Sequence, residues 1–461
     1  MSLEITLKKF GQEHLLRHLA KLEPDERTAF EAQLATIDFA QLQRLVAGEE
    51  AGPNWAEMAA KAEPPPAIRL DEPKPRFEPE VAQAAGEKAL RDGRLATIIV
   101  AGGQGTRLGF EHPKGMFPVG PLSGRTLFQM LADRLLAVMK RYHVSIPMYV
   151  MTSPATDAET REYFTQNQRC GLAEDQLVIF CQGTMPAIES GSGKLLLESR
   201  CSLAVSPDGH GGLVSALDSN GCLADAAIRG IEHFFYAQVD NPLVQLCDPR
   251  LIGYHILSAS QVTTQVVRKR FAKEKVGNVV GLDGKVQIIE YSDLPDSAAE
   301  QTLADGSLKL WAGNIAVHLF ERQFLQSVVA DTESLAFHRA HKAVPHLNEF
   351  LEPVKPDKAN AIKFERFVFD LLPLADRSIV VESDAAEVFA PVKNADGALV
   401  DTPEQSKAAL CKLHRGWLES AGVSILPEVK VEIHPAWALD AGEVRKKVGN
   451  ECKISCDTFL R

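Results

Sequence analysis

The sequence predicts an α/β protein: a mixed, mostly parallel sheet flanked by helices, with a helical segment before it and a small unit after it. Three observations predict it. From Leu95 onward, short β-rich runs alternate with helical stretches. Two β-type runs flank Asp283-Gly284, a hairpin signal that brings an antiparallel pair into the sheet. Before Leu95, a Leu-, Ala-, Glu- and Lys-rich stretch gives way to closely spaced prolines. The expected boundaries are 1–62 for the N-terminal helical segment, 63–90 for a Pro-rich linker, 91–395 for the main α/β domain and 396–461 for a small C-terminal region.

In chain order, apolar residues recur at helical spacing between Glu13 and Val46. Leu15-Leu16, Leu19 and Leu22 share one face, and Phe30, Leu34 and Phe39 mark a second helix. From Glu63-Pro64-Pro65-Pro66 through Pro73, Pro75 and Pro79, proline removes donors and fixes φ, which predicts an extended linker. Leu95 to Val100 is a buried-strand pattern, and Thr126 to Arg141 a helix with Leu127, Leu131, Leu135 and Val138 inward. Further strands are expected at Pro147–Thr152, Leu177–Cys181 and His233–Val239. Val276 to Tyr291 is the hairpin. Lys358 to Asp376 reads as a helix with Ile362, Phe367 and Leu371 inward, and Val423 to Val448 as a short β-containing tail.

The 461 residues suffice for more than one structural unit, and 45% apolar with 24% charged residues is ordinary globular composition. Fifty basic against 61 acidic side chains give 50 − 61 = −11, which argues against nucleic-acid or anionic-membrane partners. Phosphate ligands stay open, because a few placed cations and backbone N–H groups suffice locally. No apolar run is long enough to cross a bilayer, and Met1-Ser2-Leu3-Glu4 does not open a signal peptide. The eight cysteines form no CxxC pair and read as reduced thiols, mostly buried. A cytoplasmic location is expected.

The most informative stretch is Val100-Ala101-Gly102-Gly103-Gln104-Gly105-Thr106-Arg107-Leu108-Gly109, followed by Pro113-Lys114-Gly115. A buried strand delivers the chain to a turn with three close glycines, where bare backbone can point successive N–H groups at phosphate oxygens. Arg107 and Lys114 add positive charge just beyond it. Three other phosphate loops are excluded. A dinucleotide fingerprint starting at Gly103 would need glycine where Leu108 stands; a Walker A loop would need GK followed by Ser or Thr, but Lys114 precedes Gly115. A kinase loop would sit in a hairpin.

This loop resembles the signature of the UDP-sugar pyrophosphorylases, UTP:sugar-1-phosphate uridylyltransferases, and most closely the eukaryotic-type UDP-N-acetylglucosamine enzymes. An ordered set of further matches carries the resemblance from Gly11 to Trp417. It includes Gly11-Gln12-Glu13-His14-Leu15-Leu16, Gln182-Gly183, Pro207-Asp208-Gly209, Val239-Asp240-Asn241, Glu290-Tyr291-Ser292, Ala312-Gly313-Asn314-Ile315, Ile362-Lys363 and Phe389-Ala390-Pro391-Val392-Lys393-Asn394. The resemblance implies a Rossmann-like, GT-A-like nucleotidyltransferase fold, with 91–395 as the catalytic domain. It also implies a reaction in which a sugar 1-phosphate attacks the α-phosphorus of UTP and pyrophosphate leaves.

By that resemblance, Ala101, Gly102, Gly103 and Gly105 cradle UTP, Gln182 and Gly209 contact uracil, and Asp240 and Lys363 serve the nucleotide. Arg107, Lys114 and Lys393 are the expected catalytic cations, neutralising phosphate charge. His210, Glu290, Tyr291 and Asn314 are the expected sugar contacts. Asp240, at the carboxyl end of a buried strand, is the candidate ligand for Mg²⁺, the expected cofactor.

One residue departs from the pattern. The N-acetylglucosamine enzymes carry Asn after Pro-Asp-Gly, where this chain has His210. Gly-His-Gly there is similar to the UDP-glucose pyrophosphorylases, so a UDP-glucose or broad-specificity enzyme is the runner-up. A UDP-sugar sensor without turnover is a different class, expected to lose a phosphate-neutralising residue; Arg107, Lys114, Asp240, Lys363 and Lys393 are all present. A nicotinamide-dependent dehydrogenase is disfavoured by the missing third glycine.

Overall fold

Leu95–Val100 forms the strand that the sequence predicts, and all but its last residue are buried, because both faces of the sheet around it are covered. In the computed structural model, which describes residues 2–47, 54–331, 335, 337–449 and 452–461, this strand belongs to the larger of two units. That unit comprises Trp55–Cys181, Val214–Asp331 and Leu371–Arg461. Its sheet is built from β1 (Ala67–Ile68), β2 (Leu95–Val100), β3 (Met148–Thr152), β4 (Leu177–Cys181), β5 (His233–Gln238), β6 (Val262–Arg268), β7 (Asn278–Leu282), β8 (Lys285–Ile289), β9 (Ala312–Glu321) and β10 (Ser378–Ser383).

The strand order is β1-β10-β6-β9-β5-β2-β3-β4. Every neighbouring pair on this path is parallel except β6–β9 and β9–β5, so β9 is an antiparallel insertion in a parallel sheet. The β7–β8 hairpin attaches to β9 through Asn278 opposite Gly313, and its turn residues Asp283 and Gly284 both have positive φ. That is the primed turn that the Asp-Gly pair predicts. The mixed, mostly parallel sheet is therefore as expected.

Helix Leu127–Tyr142 begins at Thr126, whose hydroxyl accepts from Gln129 N–H while the Gln129 side chain accepts from Thr126 N–H. Leu127, Leu131, Leu135 and Val138 are buried in the main core with Leu95, Ile99 and Phe235. Helix Pro79–Arg91 lies against helix Pro249–Leu257 at backbone-contact distance. A Cβ on Gly86 would fall 1.7 Å from Pro249 O, and one on Gly253 would fall 1.7 Å from Ala82 O, so neither position admits a side chain. Glycine is here for close approach.

The smaller unit comprises Met1–Asn54, Gln182–Leu213 and Thr332–Asp370. Its core joins Leu7, Leu15, Leu19, Phe30, Leu34, Phe39, Leu42 and Leu45 of the first helices to Ile188, Leu195, Leu203, Ile362 and Phe364 of short strands. Gln12 ties them further: its amide donates to Gly193 O at 3.0 Å and its carbonyl accepts from Leu195 N–H at 3.0 Å.

Several sequence expectations need correction. The expected linker 63–90 contains a helix from Pro79, because proline is preorganised for a first helical turn. Phe30 and Leu34 belong to helix Pro24–Ala35 and Phe39 to the next, Phe39–Ala47. Lys358–Asp376 is not a helix. Ala361–Glu365 is a strand paired with His338–Lys342 and Ile188–Glu189, followed by the 3₁₀ segment Val368–Leu374. Tertiary pairing overrode the helical spacing there. The expected boundaries also do not coincide with the two units, since Gln182–Leu213 and Thr332–Asp370 cluster with the N-terminal helices. All eight cysteines are free, but only Cys170, Cys222 and Cys247 are buried. Among the described residues no helix is long and apolar enough to cross a membrane.

Candidate functional site

The glycine turn leaves β2 at its carboxyl end and folds back on itself. Lys114 N–H donates to Gly103 O at 3.0 Å, and Gly105 N–H to His112 O at 2.9 Å. These bonds return Lys114 to the strand end. Among the described residues, no hydrogen bond uses the N–H of Gly102 or Gly103, and nothing lies within 4 Å of a Cβ added at Gly103. A Cβ at Gly102 would instead meet Ser153 at 3.3 Å; two successive unused amides, the second beside open space, are what an anion cradle requires. Ala101 is buried, with its N–H on Met151 O. Gly105 differs from the expectation. Its N–H is spent on His112, and its bare Cα makes room for Phe110, whose carbonyl would lie 2.7 Å from a Cβ there.

Lys114 Nζ donates to Asp240 Oδ2 at 3.0 Å, with both side chains largely buried. Asp240 follows β5, and its carbonyl accepts from Val392 N–H at 2.8 Å, which brings Lys393 to the same corner. Burial pushes the Asp240 carboxyl up, but Lys114 and Lys393 outweigh it and hold the carboxyl below its ordinary value. Asp240 is thus ionised between two cations. Asn241, which sequence reasoning placed in a motif but gave no role, holds this geometry: its amide donates to Val388 O at 2.7 Å and its carbonyl accepts from Ala390 N–H at 3.1 Å. Arg107 is exposed and has no polar partner among the described residues.

A second group gathers where β7, β8 and β9 meet. Asn314 N–H donates to Gly277 O at 2.8 Å, and its side-chain oxygen accepts from Ala316 N–H at 2.9 Å. The register of β6 on β9 shifts between Gln265 and Val266, bulging Ile315 and Ala316, and Ala316 takes positive φ. Such bulges re-aim side chains. Glu290 leaves the end of β8; a Cβ added at Gly277 would stand 3.1 Å from Glu290 Oε1 and 3.5 Å from Asn314 Cβ. Glu290 and Asn314 therefore face one bare Cα, while Tyr291 is 48% exposed beside them.

In the smaller unit, Thr184–Pro186 pairs with Val205–Pro207, and Asp208 N–H donates to Gly183 O at 3.2 Å. Gln182, which is buried, and Gly209 thus flank the same end of that ribbon. Gly209 has φ +83°, and a Cβ there would meet Arg366 O at 2.3 Å. No other residue fits without displacing the backbone. The Asp208 carboxyl is buried with Oδ1 unpartnered, and desolvation pushes its pKa up to about 6 against the charge of Arg366. His210 Nδ1 accepts from Val368 N–H at 3.0 Å, and its ring packs on Phe367 and Phe369. Desolvation lowers its pKa to about 4, so it is neutral at pH 7. Lys363 lies on the strand Ala361–Glu365 and lines a cavity of about 340 Å³ with Lys355 and Val344.

The larger unit brings Lys114, Asp240 and Lys393 together, and separately Glu290 and Asn314; the smaller brings Gln182 beside Gly209 and His210. Among the described residues no group of three or more His, Cys, Asp or Glu side chains forms a metal cage. One ionised carboxylate between cations still suits Mg²⁺ delivered with a nucleotide, because Mg²⁺ is held by one or two carboxylates plus substrate phosphates.

A mostly parallel sheet with an anion-cradling glycine turn and convergent lysines at its strand ends defines a nucleotide-phosphate-handling α/β protein. Residues 57–430 match the family model of UTP–glucose-1-phosphate uridylyltransferase, and the chain belongs to that family. It is 38% identical over 446 residues to the human UDP-N-acetylhexosamine pyrophosphorylase-like protein 1, covering 94% of this chain and 87% of that one. The UDP-N-acetylglucosamine pyrophosphorylase of Saccharomyces cerevisiae is 38% identical over 356 residues, covering 76% of this chain and 74% of the relative. The crystal structure of the uridine diphosphate N-acetylglucosamine pyrophosphorylase from Trypanosoma brucei, in complex with inhibitor, superposes with a TM-score of 0.81 at 28% identity, covering 97% of this chain and 95% of that one.

Proposed function

We propose that this chain is a uridylyltransferase that makes UDP-N-acetylglucosamine and pyrophosphate from UTP and N-acetylglucosamine 1-phosphate. The observation that carries the reading is Asp240, held ionised by Lys114 and Lys393 at the glycine turn, whose Gly102 and Gly103 amides are unused. The sugar phosphate oxygen forms a bond to the α-phosphorus of UTP as the bond to the bridging oxygen breaks and pyrophosphate departs. No covalent nucleophile is needed; the protein orients two anions and neutralises charge. Lys114 and Lys393 receive negative charge as it moves to the leaving group, with Arg107 beyond the turn. The Gly102 and Gly103 N–H groups hold phosphate oxygens. Mg²⁺, held by Asp240, would supply further neutralisation of those oxygens. Gln182 and Gly209 read the uracil edge, Lys363 serves the nucleotide phosphates, and Glu290, Tyr291 and Asn314 meet the sugar.

The name of the yeast relative supports the acetamido sugar, and His210 is the observation that favours glucose instead. Pyrophosphate release from UTP, with and without Mg²⁺, decides between them when N-acetylglucosamine, N-acetylgalactosamine and glucose 1-phosphates are compared. Preference for an acetamido sugar is expected. Preference for glucose would transfer the conclusion to the UDP-glucose reading, and UTP binding without release from any sugar would favour a sensor.

A further inference from the structure

Lys269 stands one residue beyond β6 and is only 5% exposed. Lysine is seldom this buried unless its ammonium is paired. Its Nζ donates to Asn278 Oδ1 at 2.5 Å and to Ala272 O at 3.2 Å. Desolvation lowers its pKa to about 8, partly opposed by Glu274. Asn278 is itself 1% exposed, and its amide donates to Ile289 O at 3.2 Å and Val276 O at 3.4 Å.

The consequence lies in what these bonds connect. Ile289 immediately precedes Glu290, and Asn278 sits opposite both Ile289 and Gly313, the neighbour of Asn314. A Cβ on Gly313 would meet the Lys269 stem at 3.4 Å, so the lysine packs directly under the strand that carries Asn314. Lys269 N–H also donates to Trp311 O at 2.8 Å. Lys269 and Asn278 together thus tie the ends of β6, β7, β8 and β9 where Glu290 and Asn314 converge on Gly277.

We infer that Lys269 is a positioning residue for sugar recognition: through Asn278 it fixes the separation of Glu290 and Asn314. This rests on the proposed reading of those two residues as sugar contacts. A buried network with every member satisfied holds its groups to a narrow geometry, and removing one partner loosens it.

The test is steady-state kinetics on the full chain with both substrates varied. Lys269→Met keeps the stem and removes the donor. It is expected to raise KM for the sugar 1-phosphate about tenfold, with KM for UTP within about twofold and kcat little changed, the signature of lost substrate binding. Asn278→Asp, which keeps the acceptor for Lys269 and loses the donations to Ile289 O and Val276 O, is expected to raise the same KM by about threefold. Thermal unfolding of both variants is recorded alongside. A lowered melting temperature with sugar KM unchanged in both would overturn the inference and leave Lys269 a structural residue. An equal rise in both KM values would overturn it too. Wild-type protein that releases no pyrophosphate with any sugar would overturn the proposed function, and this inference with it.

Discussion

At the ends of β2 and β5 the side chains that matter touch one another: Lys114 reaches Asp240 directly, and Lys393 shares its field. At the hairpin end Glu290 and Asn314 are placed by backbone, a bulge and a buried lysine behind them. On the proposed reading, the first is the phosphate corner, held by charge, and the second the sugar corner, held by geometry. Charge acts over several ångströms and tolerates small displacements, whereas hydrogen bonds to hydroxyls do not. The first corner should therefore fail in kcat when damaged and the second in substrate KM.

The largest effect expected is at Lys114. On the proposed reading, Lys114→Ala removes a cation aimed at charge that grows in the transition state, so kcat should fall about a hundred- to a thousandfold, with KM for UTP changing far less. Stopped-assay kinetics with saturating sugar phosphate measure it. A variant that weakens UTP binding but turns over normally would erase the distinction between the two corners, because Lys114 would then bind ground state and transition state alike.

Two glycines sharpen the comparison from the other side. Gly209→Ala forces a Cβ onto Arg366 O at 2.3 Å in a left-handed backbone, and should cost about 2 kcal/mol or more in unfolding free energy. Gly103→Ala meets open space, so it should cost no more than about 1 kcal/mol while weakening UTP binding. Denaturant unfolding and UTP titration separate the two: Gly209→Ala should lose stability and, as a proposed uracil contact, UTP affinity, whereas Gly103→Ala should lose affinity almost alone. Equal destabilisation of both would mean that Gly103 is as packed as Gly209.

How much of this was legible in the sequence follows the range of the interactions. The strand–turn–helix around Gly102, the Asp283-Gly284 hairpin and the Leu127 helix are local, and each was readable from adjacent residues. Asp240 was readable because it sits where a buried strand ends. The sequence places Lys363 on a helix although only Phe367 and Leu371 keep helical spacing, and the pairing with His338–Lys342 that makes it a strand is contributed from elsewhere in the chain. The union of the N-terminal helices with Gln182–Leu213 was hidden for the same reason. Lys269 and Asn278 carry no signal of their own: a lysine after a strand reads as solvated, and only the fold buries it.

His210 is where the resemblance and the structure pull apart, and it gives the smallest effect. The ring is neutral, accepts from Val368 N–H and packs on two phenylalanines, so it acts as structure for the loop at Gly209. Its folded pKa, lowered to about 4, lies below the unfolded value. The unfolded chain therefore takes up a proton that the folded chain refuses, and stability falls as pH drops from 6.5 toward 4. Between pH 7 and 5.5 that loss should be about 1 kcal/mol. The nearest titratable groups, Asp370 and the His338 bonded to it, act on the ring in opposite directions. His233, His255 and His414 are lowered with the same sign, so the measurement is the difference between wild type and His210→Asn. The variant should lose about 1 kcal/mol of the acid sensitivity and leave the preference among sugar phosphates within about threefold, since the ring's acceptor is committed to Val368 N–H and only its Nε2–H is left for a ligand. A shift in sugar preference larger than that would make His210 the specificity residue and move the sugar reading from Glu290 and Asn314 to the loop beside the base.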